Sequence, residues 1–139
     1  MTRVEFFFNV DDKLAKTTEL CEKALAKGRE IMVFTEGMAM NEAVQTALWQ
    51  HSPSSFLASN DHAPACMPHA PITVSHEHEN LIKDDVLINL HAQHPPFFSR
   101  FRYLVELVGP SDDDKAAARS KFRFYRDRGY GIKSTDVRA

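Results

Sequence analysis

The stretch VEFFFNVDDKLAKTTELCEKALAKGREIMVF, residues 4–34, decides the fold. Its opening run, Val4 to Val10, is apolar and β-rich, and Asp11-Asp12 stops it with side chains suited to capping a helix. Leu14, Leu20, Cys21, Ala24 and Leu25 then keep roughly helical spacing until Gly28, which supplies a left-handed stop. Glu30 to Phe34 reads as a short buried strand. Strand, helix and strand of this length make a right-handed β-α-β unit with parallel strands, the start of a doubly wound sheet.

Working outward, Val44, Ala47 and Leu48 recur at helical intervals within Asn41–Gln50, so a second amphipathic helix is expected there, ending before Pro53. Residues 60–71 mix proline and histidine with small residues and read as an exposed loop. Strands are expected at Ile72–Ser75, at Val86–Leu90 and in the second half of Phe97–Val108, which Gly109-Pro110 terminates. A last helix follows. Ser111 and Asp114 form a capping-box pattern, Asp112 and Asp113 favour the positive helix start, and Arg126 and Arg128 favour its negative end before Gly129. The reading is one α/β domain over residues 1–139: a Rossmann-like three-layer arrangement around a mostly parallel or mixed sheet. No pattern marks the segment after Gly131.

Composition narrows the function. At 139 residues and 43% hydrophobic, the chain can build one well-buried core but not two ordinary domains. No apolar run approaches the roughly 18 residues of a membrane span, and the first residues lack the layout of a secretory signal. A cytoplasmic protein is expected, with Cys21 and Cys66 as reduced thiols. Neither GxxxxGK[ST] nor GxGxxG occurs, so the sheet is expected to be a scaffold without a nucleotide site or other cofactor. GxSxG and HExxH are also missing, and the acids fall in no catalytic spacing, so no catalytic residues are assigned. Cys66, His69, His76 and His78, with His62 nearby, match no common zinc template; exposed loop histidines are the better reading, and no metal is expected.

Charge is the distinctive feature. Residues 115–139 carry eight Lys/Arg against Asp127 and Asp136, a local +6, whereas residues 1–114 sum to −8. The net charge of −2 therefore conceals a dipolar molecule, and an acidic partner is expected at one end. Lys115, Arg119, Phe122, Arg123 and Arg126 share one face of the last helix, with Ala118, Phe122 and Tyr125 as its apolar border. A charged helical face is often mere solvated surface. Grouping arginine forks around an aromatic is what suits carboxylate or phosphate capture. Trp49, at the end of the second helix, is more often core than interface for its type, roughly 60 to 40, and its amphipathic body keeps the interface reading open.

ALW at 47–49, SF at 55–56, DVLINL at 85–90, LVELV at 104–108 and AARSKFRFYRDRGY at 117–130, in that order along the whole chain, resemble the chi subunit of bacterial DNA polymerase III holoenzyme. The resemblance implies a non-catalytic tether. It would join the clamp loader, through the psi subunit, to the acidic C-terminal tail of single-stranded DNA-binding protein. Tail-binding residues would fall on Val108, Arg119, Phe122 and Arg123, with Lys121, Tyr125 and Arg126 as neighbours. Trp49, Phe56 and Leu57 would face psi or a lineage-specific replacement such as a repair helicase, with DNA contact mainly indirect. The competing reading from the residues is a direct single-stranded nucleic-acid module, in which the basic helix binds phosphates and Phe122 or Tyr125 stacks on bases. The acidic remainder of the chain argues against that, because it repels a flanking phosphate backbone.

Overall fold

The computed structural model describes residues 2–51, 59–61, 72–75 and 84–137, with the backbone alone for residues 49–51, 59–61 and 75. The strands are β1 (Arg3–Phe8), β2 (Ile31–Phe34), β3 (Ser59–Asp61), β4 (Ile72–Ser75), β5 (Val86–Asn89), β6 (Tyr103–Leu107) and β7 (Ile132–Asp136); the helices are α1 (Lys13–Ala26), α2 (Met38–His51) and α3 (Asp112–Asp127). All seven strands join one sheet in the order β3-β4-β2-β5-β6-β1-β7. Every pairing is parallel.

The chain leaves β1 in one direction through α1 and returns through α3 to finish at β7, beyond β1. Right-handed crossovers running in opposite directions put their helices on opposite faces. Strand alternation then sorts the core into two layers. Ile31, Val33, Ile72, Val74, Ile88 and Val105 meet α1 and α2 through Cys21, Val44 and Leu48. Val4, Phe6, Met32, Phe34, Leu87 and Leu104 pack under α3 against Tyr125 and Ala118. The central strands are covered on both faces, which is why EIMVF and DVLINL read as continuous apolar runs.

The caps follow the sequence with one difference. Asp12 Oδ1 accepts from Ala15 N at the start of α1. At its end Gly28 (φ 73°) donates to Leu25 O while Arg29 donates to Ala24 O, the paired closure that glycine permits. At α3, Ser111 Oγ accepts from Asp114 N, but the Asp114 carboxylate does not return to Ser111 as a capping box would. It accepts instead from Gly109 N at 3.0 Å and pairs with Lys13 Nζ at 2.7 Å, tying the starts of α3 and α1 together. A Cβ on Gly109 would lie 2.5 Å from Asp114 Oδ2, so the approach depends on glycine.

Burial by itself would raise the Asp114 carboxyl, but Lys13 and the Gly109 N–H hold it below its ordinary value. A depressed carboxyl contributes stability that is present above the unfolded carboxylate range, near 3.9, and is lost as pH falls through the folded value. Asp114→Asn is therefore expected to flatten the acid limb of a stability-versus-pH curve below about pH 4. An unchanged acid limb in urea titrations would show that the tie contributes nothing.

Beyond shifts of one or two residues at element ends, three features differ from the sequence reading. α2 begins at Met38, a turn before the expected Asn41. Asn41 lies inside it, and its buried side chain takes a hydrogen bond from Thr35 Oγ1. Asn60 and Asp61, read as loop, belong to β3. β7, unmarked in the sequence, has the composition IKSTD and is an edge strand among the described residues; with one neighbour there and a solvated face it needs little hydrophobic patterning.

Candidate functional site

α3 lies along β1 and β7 and leaves a groove of about 280 Å³ beside them. Phe6 and Phe8 of β1 with Val108, just past β6, give it apolar walls, and Ala118 and Phe122 of α3 enclose them. Lys115 and Arg119 stand one turn apart on α3 over the same groove, and Ser134 of β7 borders it. Phe122 is 36% exposed, high for an aromatic ring, while its ring still tilts against Phe6 at 5.6 Å. Asn9 also lines the groove, in the left-handed backbone region (φ 62°) that asparagine tolerates, and its Nδ2 donates to Asp136 Oδ1.

Lys115, Arg119 and Arg123 are exposed and have no ion-pair partner among the described residues. The groove therefore offers an apolar recess beneath two uncompensated cations. It can hold an apolar side chain and a carboxylate or phosphate side by side.

The interior of α3 is organised differently. Glu106 of β6 is wholly buried on the α3 side of the sheet. Lys121 Nζ donates to Glu106 Oε1 at 2.7 Å and to His91 O at 3.2 Å. Tyr125 OH donates to Glu106 Oε2 at 2.7 Å, and Asn89 Nδ2 donates to the same oxygen at 2.9 Å. Burial pushes the Glu106 carboxyl above its ordinary value, opposed by the Lys121 ammonium, the Tyr125 hydroxyl and the Asn89 amide. Burial first, and then the Glu106 carboxylate, raises the Tyr125 hydroxyl, which stays a donor.

Of the residues expected at the tail site, Val108, Arg119 and Phe122 come together in the groove. Arg123 and Arg126 lie exposed further along α3, outside the lining, and Arg126 reaches Asp127 at 3.4 Å. Lys121 and Tyr125 are corrections: both are buried and face β6, so they hold α3 in place instead of presenting themselves to a partner. Phe6, Phe8, Lys115 and Ser134 are additions. Phe6 and Phe8 alternate in VEFFF and so share a face, a legible signal; Ser134 in a polar strand carries none. Trp49 falls in the last turn of α2, with its side chain outside the described residues, as are Phe56 and Leu57.

A second, smaller cleft of about 140 Å³ opens at the carboxyl ends of the strands, where nucleotides bind in this architecture. Glu36, Asp113 and Asp114 line it beside Lys13 and Lys121. Three carboxylates stand where a phosphate would sit, which is the wrong charge for one. No group of three or more His, Cys, Asp or Glu among the described residues could hold a metal; His62, Cys66, His69, His76 and His78 lie outside them. No helix there is long and apolar enough to cross a membrane.

The protein is thus a Rossmann-like α/β domain with a cationic, apolar-walled groove on the flank of its last helix. The fold resembles the C-terminal domain of S. cerevisiae Dbp5, solved with Gle1 and IP6, at a TM-score of 0.61 and 7% identity over 98% of this chain and 90% of that one. The profile of the family described as DNA polymerase III chi subunit, HolC, matches residues 1–133, and the chain belongs to that family. Curated relatives agree: the chi subunit of Pseudomonas aeruginosa is 30% identical over 96% of this chain and 95% of its own. That of Haemophilus influenzae is 26% identical over 99% of each, and that of Escherichia coli 24% over 90% and 88%. The chain is an accessory subunit of DNA polymerase III in DNA replication.

Proposed function

We propose that this subunit is a non-catalytic tether that captures the acidic C-terminal tail of single-stranded DNA-binding protein in the groove beside α3. It would link that tail to the clamp loader through a second partner, psi or a lineage-specific replacement, at Trp49, Phe56 and Leu57. The observation that carries the reading is the pairing of an apolar recess, formed by Phe6, Phe8, Val108 and Phe122, with the cations Lys115 and Arg119, which have no ion-pair partner among the described residues. A terminal apolar side chain enters the recess while its own carboxylate meets the arginine fork. Acids upstream meet Lys115 and, further along α3, Arg123 and Arg126. Such exposed contacts are screened, so binding in the micromolar range that weakens with salt is expected, suited to a link remade repeatedly.

A single-stranded nucleic-acid module would need exposed bases' worth of stacking surface. Tyr125 is fully buried and supplies none, leaving Phe122 as the exposed ring on this helix.

Arg119→Ala is expected to weaken an acidic peptide ending in phenylalanine by about tenfold, the loss of one charge-assisted contact, with an unchanged melting temperature. Fluorescence anisotropy with a labelled peptide reads this directly. Unchanged affinity would move the carboxylate away from Arg119, and oligonucleotide binding in place of peptide binding would overturn the tether.

A further inference from the structure

The groove opens beside an unpaired sheet edge. β7 pairs with β1 on one side, and among the described residues no strand lies on its other side. Val4 N donates to Gly131 O, and Val137 N donates to Phe8 O, which fixes the phase of the parallel ladder. With a period of two, residues 131, 133, 135 and 137 direct their backbone groups to β1, while Ile132 and Ser134 direct theirs outward. Ser134 is also a groove residue. One residue therefore belongs both to the lining of the recess and to the outward-facing edge.

We propose that the outer edge of β7 takes up the part of the acidic peptide lying upstream of its groove-bound end as an added parallel or antiparallel strand. The inference rests on the peptide reading above and extends it to the backbone. In such a strand, alternate amides of the peptide pair with Ile132 and Ser134, and main-chain hydrogen bonds supply affinity that side-chain sequence does not.

Charge selects the occupant. Lys133, the second residue of β7, has its side chain 77% exposed and 3.9 Å from Glu5 on the neighbouring strand. A cation on an edge strand discourages pairing with a second copy, which would bring Lys133 against its own duplicate, and favours an incoming strand rich in carboxylates. Arg119 and Lys115 add positive charge over the groove, on the opposite face of the sheet from Lys133. Ser134 lines the same groove as Phe122 and Val108, so one extended peptide serves both features.

The test uses the full-length protein and a synthetic acidic peptide of about ten residues ending in phenylalanine, N-methylated at one backbone amide at a time along its upstream half. Loss of affinity of about fivefold at every second position, with little effect at the intervening ones, is the expected pattern, since alternate amides alone face the partner strand. Hydrogen exchange at the Ile132 and Ser134 amides should slow on saturation with the unmodified peptide. Tight binding with no periodic loss and no slowed exchange would overturn the added strand while leaving groove capture intact. Failure of the unmodified peptide to bind would overturn both readings. Self-association of the free protein that the peptide does not disrupt would overturn this one alone, by assigning the edge to a second copy.

Discussion

Replacing Lys121 by alanine is expected to lower the stability of the protein by about 3–5 kcal/mol, a large share of what a domain of this size possesses. Glu106 is wholly buried, and Lys121 Nζ at 2.7 Å is the cation paired with it. Without that ammonium the carboxylate keeps the Tyr125 hydroxyl and the Asn89 amide, neither of which neutralises its charge. The loss should depend on pH. Burial already raises Glu106, and removing Lys121 raises it further. An acid whose folded value lies above its unfolded value holds a proton in the native state, so stability falls as pH rises from the unfolded carboxylate range through the folded value. The deficit of Lys121→Ala should accordingly be smallest near pH 5 and largest at neutral pH. Urea titrations at both pH values measure it, and a deficit under about 1 kcal/mol, or one indifferent to pH, would show that the pair carries little. The double variant Glu106→Gln with Lys121→Met should recover much of the loss, because exchanging both charges leaves none buried alone.

Reversing the two groove cations, Lys115→Glu with Arg119→Glu, should have the opposite profile: peptide affinity falls at least about a hundredfold while stability changes by less than about 0.5 kcal/mol. Both side chains are exposed and have no ion-pair partner among the described residues, so the fold does not depend on their charge. A tail with a terminal carboxylate and upstream acids then meets two carboxylates in place of two cations, and juxtaposed like charges cost several kcal/mol. Salt provides a second reading. Wild-type affinity should fall as ionic strength rises, whereas residual binding by the variant should rise slightly as screening relieves repulsion. Anisotropy titrations at low and moderate salt are sufficient. Binding within about threefold of wild type would remove Lys115 and Arg119 from the site, since charge reversal at a true contact exceeds that range.

The two variants separate roles that the sequence presents as one. Lys115, Arg119, Lys121, Arg123 and Arg126 look alike along α3, and Phe122, Tyr125 and Ala118 look like a single apolar border. In three dimensions, Lys121 and Tyr125, four residues apart, turn inward to the two oxygens of one carboxylate, while Arg119 and Phe122 turn toward the groove. The presence of Glu in LVELV was the available signal. A charged residue inside an otherwise apolar strand requires a partner of opposite charge, and Lys121 or a neighbour on α3 had to provide it. Which cation does so depends on how α3 is rotated over β6, and helical periodicity alone does not fix that.

The parallel α/β order through residues 4–34, the stops at Gly28 and Gly129, and the concentration of positive charge on α3 are legible in the residues alone, because they follow from local periodicity, capping and composition. The family likeness was legible in the same way, in motifs each carried by one short segment. That Phe6 and Phe8 wall the groove Arg119 overlooks, that Ser134 borders it on an edge strand, and that Lys121 is interior are all outcomes of packing. Those facts join β1, α3 and β7, which are separated by most of the chain. Burial and charge pairing are properties of contacts between distant segments, so no pattern within one segment contains them.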